Sequence, residues 1–336
     1  MEKGKRPIDR QRDSAFSMSV GEEGDGPSRD SLPIGHKMYL LMDRAIYSIV
    51  LADNIDPART NPNIRHMQQK AYDIGTQSEL VGRTLLAAKY LFKDGMLDQR
   101  FDKDRIFLIV LDFFEEVLGL SKIFESFVEE MKRPVASANE RQQQGSSVLL
   151  PSVPDLKGKV KAFVQRAEHG VQSLLALCKV FYDLPPNKSN FDGLFAVASV
   201  RDDLEPFLLQ ILEGIVRYAK FLRNCRHCVE HPHPHQRIVI TNFILNANNE
   251  VWPPVLEIIH PQTPEPTIDV GVFMRDVLNS TLSAGENLMA FLASTNMLPD
   301  WKERAMVMEF PPEKRRNPHV KYYYAMNLGG EMCPIG

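Results

Sequence analysis

The sequence predicts a mainly α-helical protein, a helical bundle with one small β-hairpin inserted before its last long helix. Apolar residues recur every three or four positions through several long segments, which is the period of a helix with one buried face. Only one region, residues 237–260, changes to a β-branched pattern. The chain has 336 residues, of which 43% are hydrophobic, so a sizeable core is expected.

The first part of the chain is predicted to be a flexible arm followed by helices. Residues 1–32 are expected to form the arm because a stretch such as Gly21–Asp30 is too polar to repay the entropy of ordering. Residues 33–133 are expected to form an N-terminal helical region, with helices over 37–52, 64–92 and 103–132. The third is densest in large apolar residues, so it is predicted to be central and to end at Pro134.

The second part is predicted to be a separate helical domain over residues 154–298. Residues 134–153 have the composition of a linker or exposed loop, with the run Gln142–Ser147 at their centre. A helix is expected over 155–182 and ends before Pro185 and Pro186. A long helix from Ser199 to His231 follows, with acidic residues in its first turn. Those acidic residues are Asp202, Asp203 and Glu205.

The predicted hairpin and the last helix complete this domain. Two apolar, β-branched runs flank Asn246–Asn249, which predicts a hairpin over 237–260. Asp269 is a suitable cap for a helix over 270–293. Residues 299–336 lack strong periodicity and are expected to form a C-terminal tail.

Composition and charge exclude several classes of function. The net charge of −3 provides no general attraction for nucleic acid, so any contact with a polyanion must be local. No long apolar run or apolar signal core is present, and the cysteines at 178, 225, 228 and 333 are few for this length. We therefore expect a cytoplasmic protein without a membrane partner. Phosphate-binding loops, dinucleotide fingerprints and serine-hydrolase elbows are absent from the sequence.

The segment from Arg223 to His235 concentrates the reactive side chains of the chain. An apolar helical stripe leads directly to Arg226. Arg226 is followed by the polar His227, three further residues and His231. Cleavage of RNA at its own 2′-hydroxyl needs a group that moves protons and a cation that stabilises the phosphate, and histidine and arginine supply both.

This Arg-polar-x-x-x-His spacing at the end of a long helix resembles the ribonuclease motif of HEPN-domain proteins. The resemblance covers roughly residues 155–294 and implies a metal-independent endoribonuclease without cofactors, acting as a toxin or antiviral effector. It implies that Arg226 stabilises the phosphate and that His231 transfers protons. It also implies that His227 orients Arg226 and His231. It also implies a homodimer that binds RNA, and we allow for a protein partner that inhibits or activates it.

Three neighbouring residues are candidates for supporting this pair. Arg223 and Asn224 are expected to grip phosphate or to support the catalytic side chains, with ordinary surface polarity as the alternative. His233 satisfies the looser family spacing from Arg226.

Geometry adds a condition to the motif. Residues five apart on an unbroken helix are rotated by about 140°, so Arg226 and His231 would not face one phosphate. Pro232 disfavours the helical conformation of the residue before it. We therefore predict that the helix opens at His231.

Two other interpretations of the same segment stay open. Cys225 and Cys228, with His231, His233 or His235, are of the type that binds zinc, although all of these lie close together in sequence. Alternatively, the segment belongs to a non-catalytic helical scaffold or regulatory binding module that dimerises or binds nucleotide.

The cations and tyrosines at 314–316 and 321–324 suggest either a packed extension or a grip on a single strand. The remaining histidines, including His260, receive no role.

Overall fold

The fold is mixed α/β, which shows that the prediction of a mainly α-helical bundle was wrong. The computed structural model describes residues 5–14, 18–141, 150–184, 186, 189–202 and 204–335, and for residues 133–141 only the backbone. Helix accounts for 48% and strand for 21% of the structure, and the strands form four separate sheets. The predicted linker residues Gln142–Ser147, together with Pro185 and Asp203, lie outside the described residues.

Ten α-helices are present in the described parts of the chain. They are α1 (Pro7–Arg12), α2 (Ala52–Ile55), α3 (Glu79–Val81), α4 (Ala87–Leu91), α5 (Lys103–Arg141), α6 (Leu156–Phe181), α7 (Phe191–Ser199), α8 (Pro206–Glu230), α9 (Val270–Thr295) and α10 (Pro299–Lys302). A π-helical turn (Gly82–Leu86) joins α3 to α4, and a 3₁₀ turn (Pro312–Lys314) lies near the C-terminus.

The strands pair in antiparallel fashion throughout. They are β1 (Ser28–Ile34), β2 (Lys37–Met42), β3 (Ile46–Val50), β4 (Met67–Tyr72), β5 (Arg237–Thr241), β6 (Ile244–Leu245), β7 (Val251–Trp252), β8 (Val255–Ile259), β9 (Glu265–Asp269), β10 (Ala305–Glu309), β11 (Tyr322–Leu328) and β12 (Glu331–Pro334). The sheet orders are β1-β2-β3-β4, β5-β8-β9, β6-β7 and β10-β11-β12.

The N-terminal sheet contains residues that were predicted to be helical or to form a flexible arm. Residues 37–52, expected to be helical, form β2 and β3, and β4 occupies the start of the helix predicted over 64–92. In β3 the first four residues are all buried, so its apolar run lacks the alternation that identifies a strand. The predicted flexible arm also contains α1 and part of β1, in which Leu32 is buried.

The predicted helices of the second half are confirmed, with adjusted ends. The helix expected over 155–182 is α6, and the one expected over 270–293 is α9, where the Asp269 carboxylate accepts a hydrogen bond from the Val272 amide. The long motif-bearing helix begins at Pro206 rather than Ser199. The helix expected to stop at Pro134 instead continues to Arg141. Helices α5, α6, α8 and α9 pack against one another as the helical layer.

The hairpin and the C-terminal segment complete the fold. The predicted hairpin is confirmed, because β5 pairs with β8, and β6 with β7 around Asn246–Asn249; β9 adds a third strand to the outer pair. Residues 299–336, expected to be a tail, contribute β10, β11 and β12. Tyr323 and Tyr324 are buried, and the Tyr324 hydroxyl donates to the Leu91 carbonyl. Of the two interpretations of the C-terminal tyrosines, a packed extension therefore describes Tyr323 and Tyr324.

Candidate functional site at the end of α8

Helix α8 ends at the position predicted from the sequence. Glu230 is the last helical residue, and His231 has φ −129° and ψ 60°, outside the helical region. Pro232 accounts for this because it disfavours the helical conformation of the preceding residue. The Gln236 side-chain amide donates to the carbonyls of His227 and His231, at 3.3 and 3.2 Å. These bonds hold the turn after the helix against its last turn.

Arg226 is held between two carboxylates. Its Nη1 lies 2.8 Å from Oε2 of Glu168 on α6, and its Nε lies 2.9 Å from Oε2 of Glu230. The Glu168 side chain is 3% exposed, whereas that of Arg226 is 35% exposed. Hydrogen bonding to Glu230 is the largest cause that raises the pKa of Arg226. The guanidinium therefore has two anionic partners of its own and its charge is offset within the chain.

The face of α6 that contacts Arg226 carries three polar residues. Gln172 donates to the second Glu168 oxygen at 2.8 Å, and Gln165 donates to Glu230 at 3.1 Å. These bonds, first from Gln165 and then from Arg226, lower the pKa of Glu230. Sequence reasoning did not identify Glu168. Its signal is the spacing of residues 165, 168 and 172, which places three polar side chains on one face of α6.

Two histidines of the motif lie close together on the surface. The ring centroids of His227 and His231 are 6.5 Å apart, with an angle of 56° between the ring planes. Both residues are exposed, as are His233 and His235 in the following turn. The structure therefore brings imidazoles together at the helix end, while the guanidinium of Arg226, just before them in sequence, binds carboxylates.

Of the three predicted supporting residues, Arg223 and Asn224 lie away from the histidines, whereas His233 lies in the turn beside them. Asn224 is 5% exposed, and its side-chain amide donates to the Thr263 hydroxyl at 3.2 Å, so it joins α8 to the β8–β9 loop. Arg223 lines a small cavity between α6, α7 and α8, together with Asp192. The amide of Asn224 is therefore not presented to a ligand in solvent.

The two cysteines of the motif face the interior. Cys225 and Cys228 are buried, and the Cys228 thiol lies 3.6 Å from the Ile259 carbonyl. Burial raises the pKa of both thiols, which disfavours the thiolate that a metal would bind. Among the described residues, no group of three or more His, Cys, Asp or Glu side chains could hold a metal ion. The zinc interpretation therefore has no support from the geometry.

His260, to which the sequence assigned no role, belongs to this site. Its Nδ1 accepts hydrogen bonds from the amides of Gln262 and Thr263, at 3.1 and 3.2 Å. Its pKa is lowered, first by burial and then by the charges of His227 and His233. It lies directly after β8, so its approach to the motif depends on the pairing of β5 with β8. Local sequence carries no signal for that proximity.

A cavity of about 610 Å³ adjoins these imidazoles. His235 and His260 line it, together with Glu257, Glu265 and neighbouring residues of β8, β9 and the loop between them. The candidate site therefore consists of an exposed histidine cluster, an arginine–carboxylate network beneath it, and a recess beside it.

Comparisons with known proteins do not extend this description. No protein-family model, curated protein or solved structure matches the chain. The resemblance to HEPN proteins therefore depends on the motif and its position at a helix end. Separately, none of the helices in the described ranges combines the length and hydropathy needed to cross a membrane.

Proposed function

We propose that the end of α8 cleaves single-stranded RNA without a metal ion, with His227 and His231 transferring the protons. The observation that carries this proposal is the pair of exposed imidazoles, with ring centroids 6.5 Å apart, where the helix opens before Pro232. RNA supplies the nucleophile, so the protein has to supply only proton transfer and charge stabilisation.

The reaction needs one neutral and one protonated imidazole. The neutral ring removes the proton from the 2′-hydroxyl, whose oxygen attacks the adjacent phosphorus. The bond from phosphorus to O5′ breaks, and the protonated ring donates its proton to O5′. The products are a 2′,3′-cyclic phosphate and a 5′-hydroxyl, and the histidine pair ends with its protons exchanged.

The separation of the two rings suits one phosphate. With hydrogen bonds of about 2.8 Å, imidazoles about 6–7 Å apart can contact different oxygens of the same phosphate group. This separation supports an acid–base role for both His227 and His231.

Arg226 takes a different role from the one its resemblance to the family implies. Two of its three nitrogens bind Glu168 and Glu230, and no hydrogen bond within the described part of the chain uses Nη2. Nη2 can therefore still donate to a phosphate, although the two carboxylates weaken the attraction. In this proposal Arg226 chiefly positions Glu230 and the last turn of α8.

The test is cleavage of a fluorescently labelled single-stranded RNA in EDTA by the purified full-length chain. We expect products with a cyclic phosphate, and losses of about 10²–10⁴-fold in kcat/KM for His227→Ala and for His231→Ala. His36→Ala is the matched control, because His36 is exposed in the β1–β2 turn. The proposal fails if no RNA is cut, or if both motif variants cut RNA as the wild type does.

The second candidate is a non-catalytic module that binds RNA or a protein through the same surface. The observation that favours it is the pairing of Arg226 with a buried Glu168, since this pairing also has a purely structural use. Binding of the labelled RNA without cleavage, weakened in the same two histidine variants, would support this candidate.

A further inference from the structure

The cavity beside the histidines has the surface chemistry of a base-binding site. Its volume of about 610 Å³ lies within the usual range for small-ligand sites. Much of its lining is apolar and comes from Pro261, Pro264 and Pro266 in and after the β8–β9 loop. The imidazoles of His235 and His260 also line it, and histidine rings can stack on the bases of single-stranded RNA.

Two glutamates, Glu257 and Glu265, also line this recess. Glu257 lies where the β8–β9 register shifts, and Glu265 is paired in register with Ile258. Among the described residues, neither carboxylate makes a hydrogen bond or an ion pair, although each is only partly exposed. A half-buried carboxylate without a donor favours a ligand that brings N–H groups.

We propose that this cavity binds a guanine base of single-stranded RNA, next to the phosphate held by His227 and His231. This inference rests on the proposed ribonuclease function and adds a base preference to it. The base enters the recess, where a carboxylate of Glu257 or Glu265 accepts hydrogen bonds from its edge. The phosphate stays outside at the imidazoles, because the same carboxylates repel it.

Guanine fits this chemistry better than the other bases. Its Watson–Crick edge presents two adjacent donors, N1–H and an N2 hydrogen, which match the two oxygens of one carboxylate. Adenine and cytosine present one amino group beside a ring acceptor. Uracil presents a single N–H flanked by two carbonyl oxygens, which a carboxylate repels. We therefore expect guanine to bind most tightly and uracil least.

The first experiment measures binding and does not depend on cleavage. The full-length chain is titrated with 5′-GMP and with 5′-UMP while the histidine ring protons are followed by NMR. We expect GMP to bind at least tenfold more tightly than UMP and to shift the His235 and His260 resonances. The double variant Glu257→Gln/Glu265→Gln should bind GMP about ten- to hundredfold more weakly.

Glu313→Gln, at an exposed position in the 3₁₀ turn, is the matched control and should bind GMP as the wild type does. Equal binding of GMP and UMP would overturn the inference. So would unchanged GMP binding by the double variant.

The second experiment separates this inference from the proposed function. Oligouridine substrates that contain one guanosine are compared with all-uridine substrates. Cleavage beside the guanosine, lost in the double carboxylate variant, supports both ideas. Equal cleavage of both substrates overturns the base preference and leaves the ribonuclease proposal standing. GMP binding as expected, with no cleavage of any RNA, overturns the ribonuclease proposal and supports a guanine-binding module.

Discussion

Replacing Arg226 with methionine should destabilise the protein, because it leaves a buried carboxylate without its cation. Glu168 is 3% exposed and, among the described residues, would retain only the Gln172 amide as a partner. Methionine keeps the aliphatic length of the side chain, so the lost interaction is mainly electrostatic. The expected effect is a loss of unfolding free energy well above that of an ordinary surface change.

The magnitude follows from the burial of the two partners. Breaking a fully buried ion pair costs about 3–5 kcal/mol, whereas an exposed pair contributes about 0–1 kcal/mol. A partner that is 3% exposed and another that is 35% exposed place this pair between the limits. Solvent screening of Arg226 lowers the expected cost to about 2–3 kcal/mol.

The cost converts into a measurable change of melting temperature. Unfolding entropy is about 2.1 cal/mol/K per residue, which gives about 0.7 kcal/mol/K for a chain of 336 residues. Arg226→Met should therefore lower Tm by about 3–4 °C in thermal unfolding followed by circular dichroism. Urea unfolding at 25 °C provides the free energy independently.

Two further variants make the test specific. Glu168→Met/Arg226→Met should cost less than the sum of the single changes, because it leaves no unpaired buried charge. Arg217→Met is the matched control on α8, since Arg217 is 72% exposed and pairs with Glu213 one turn away. It should cost less than about 0.5 kcal/mol. If Arg226→Met and Arg217→Met destabilise equally, the burial argument is refuted.

Three other outcomes are expected from the packing and the titratable groups. Gly285→Ala should cost about 1–3 kcal/mol of unfolding free energy, because its Cβ would lie 2.5 Å from the Phe113 ring. In Gly214→Ala on α8 the Cβ meets nothing within 4 Å, so this variant should gain up to about 1 kcal/mol. Equal melting temperatures of the two variants would contradict this prediction. Because the pKa of His260 is lowered in the folded state, the unfolded chain takes up protons more readily, and stability should fall as pH drops below about 6.5. His260→Gln should flatten the dependence of Tm on pH between 7 and 5. An unchanged slope would show that His260 does not cause the loss of stability at low pH. Of the four cysteines, only Cys333 is partly exposed, so a thiol reagent should modify one thiol quickly in the native protein and the rest after unfolding; a second fast thiol would contradict the described burial.

The helical half of the fold could be predicted because its helices are long. In α6 and α9 the apolar period repeats over many turns, so the helical pattern outweighs local exceptions. Asp269 and Asn246–Asn249 carry their own capping and turn chemistry, which marks the start of α9 and the hairpin turn.

The N-terminal sheet could not be predicted in the same way. In β3, Ile46 to Ile49 are all buried, so polar and apolar positions do not alternate. Short apolar runs of this kind fit a buried strand and a helix equally well. The choice between them depends on pairing with β2 and β4 and on the helical layer, which are contacts with distant residues.

The candidate site could be predicted only in part. Pro232 indicates that the helix opens, because a proline acts on the conformation of the residue before it. The partners of Arg226 could not be predicted, since Glu168 lies 58 residues earlier on another helix. His260 likewise lies near the motif only because β8 pairs with β5.

The long helices, the hairpin turn and the histidine-rich break at the end of α8 depend on neighbours along the chain, so they could be predicted without the structure. The fold sets which side chains meet at that break, because burial and charge pairing depend on residues brought together from other elements. The guanidinium of Arg226 illustrates the difference, since its position on α8 follows from periodicity, while the two carboxylates that bind it follow from the packing of α6 against α8.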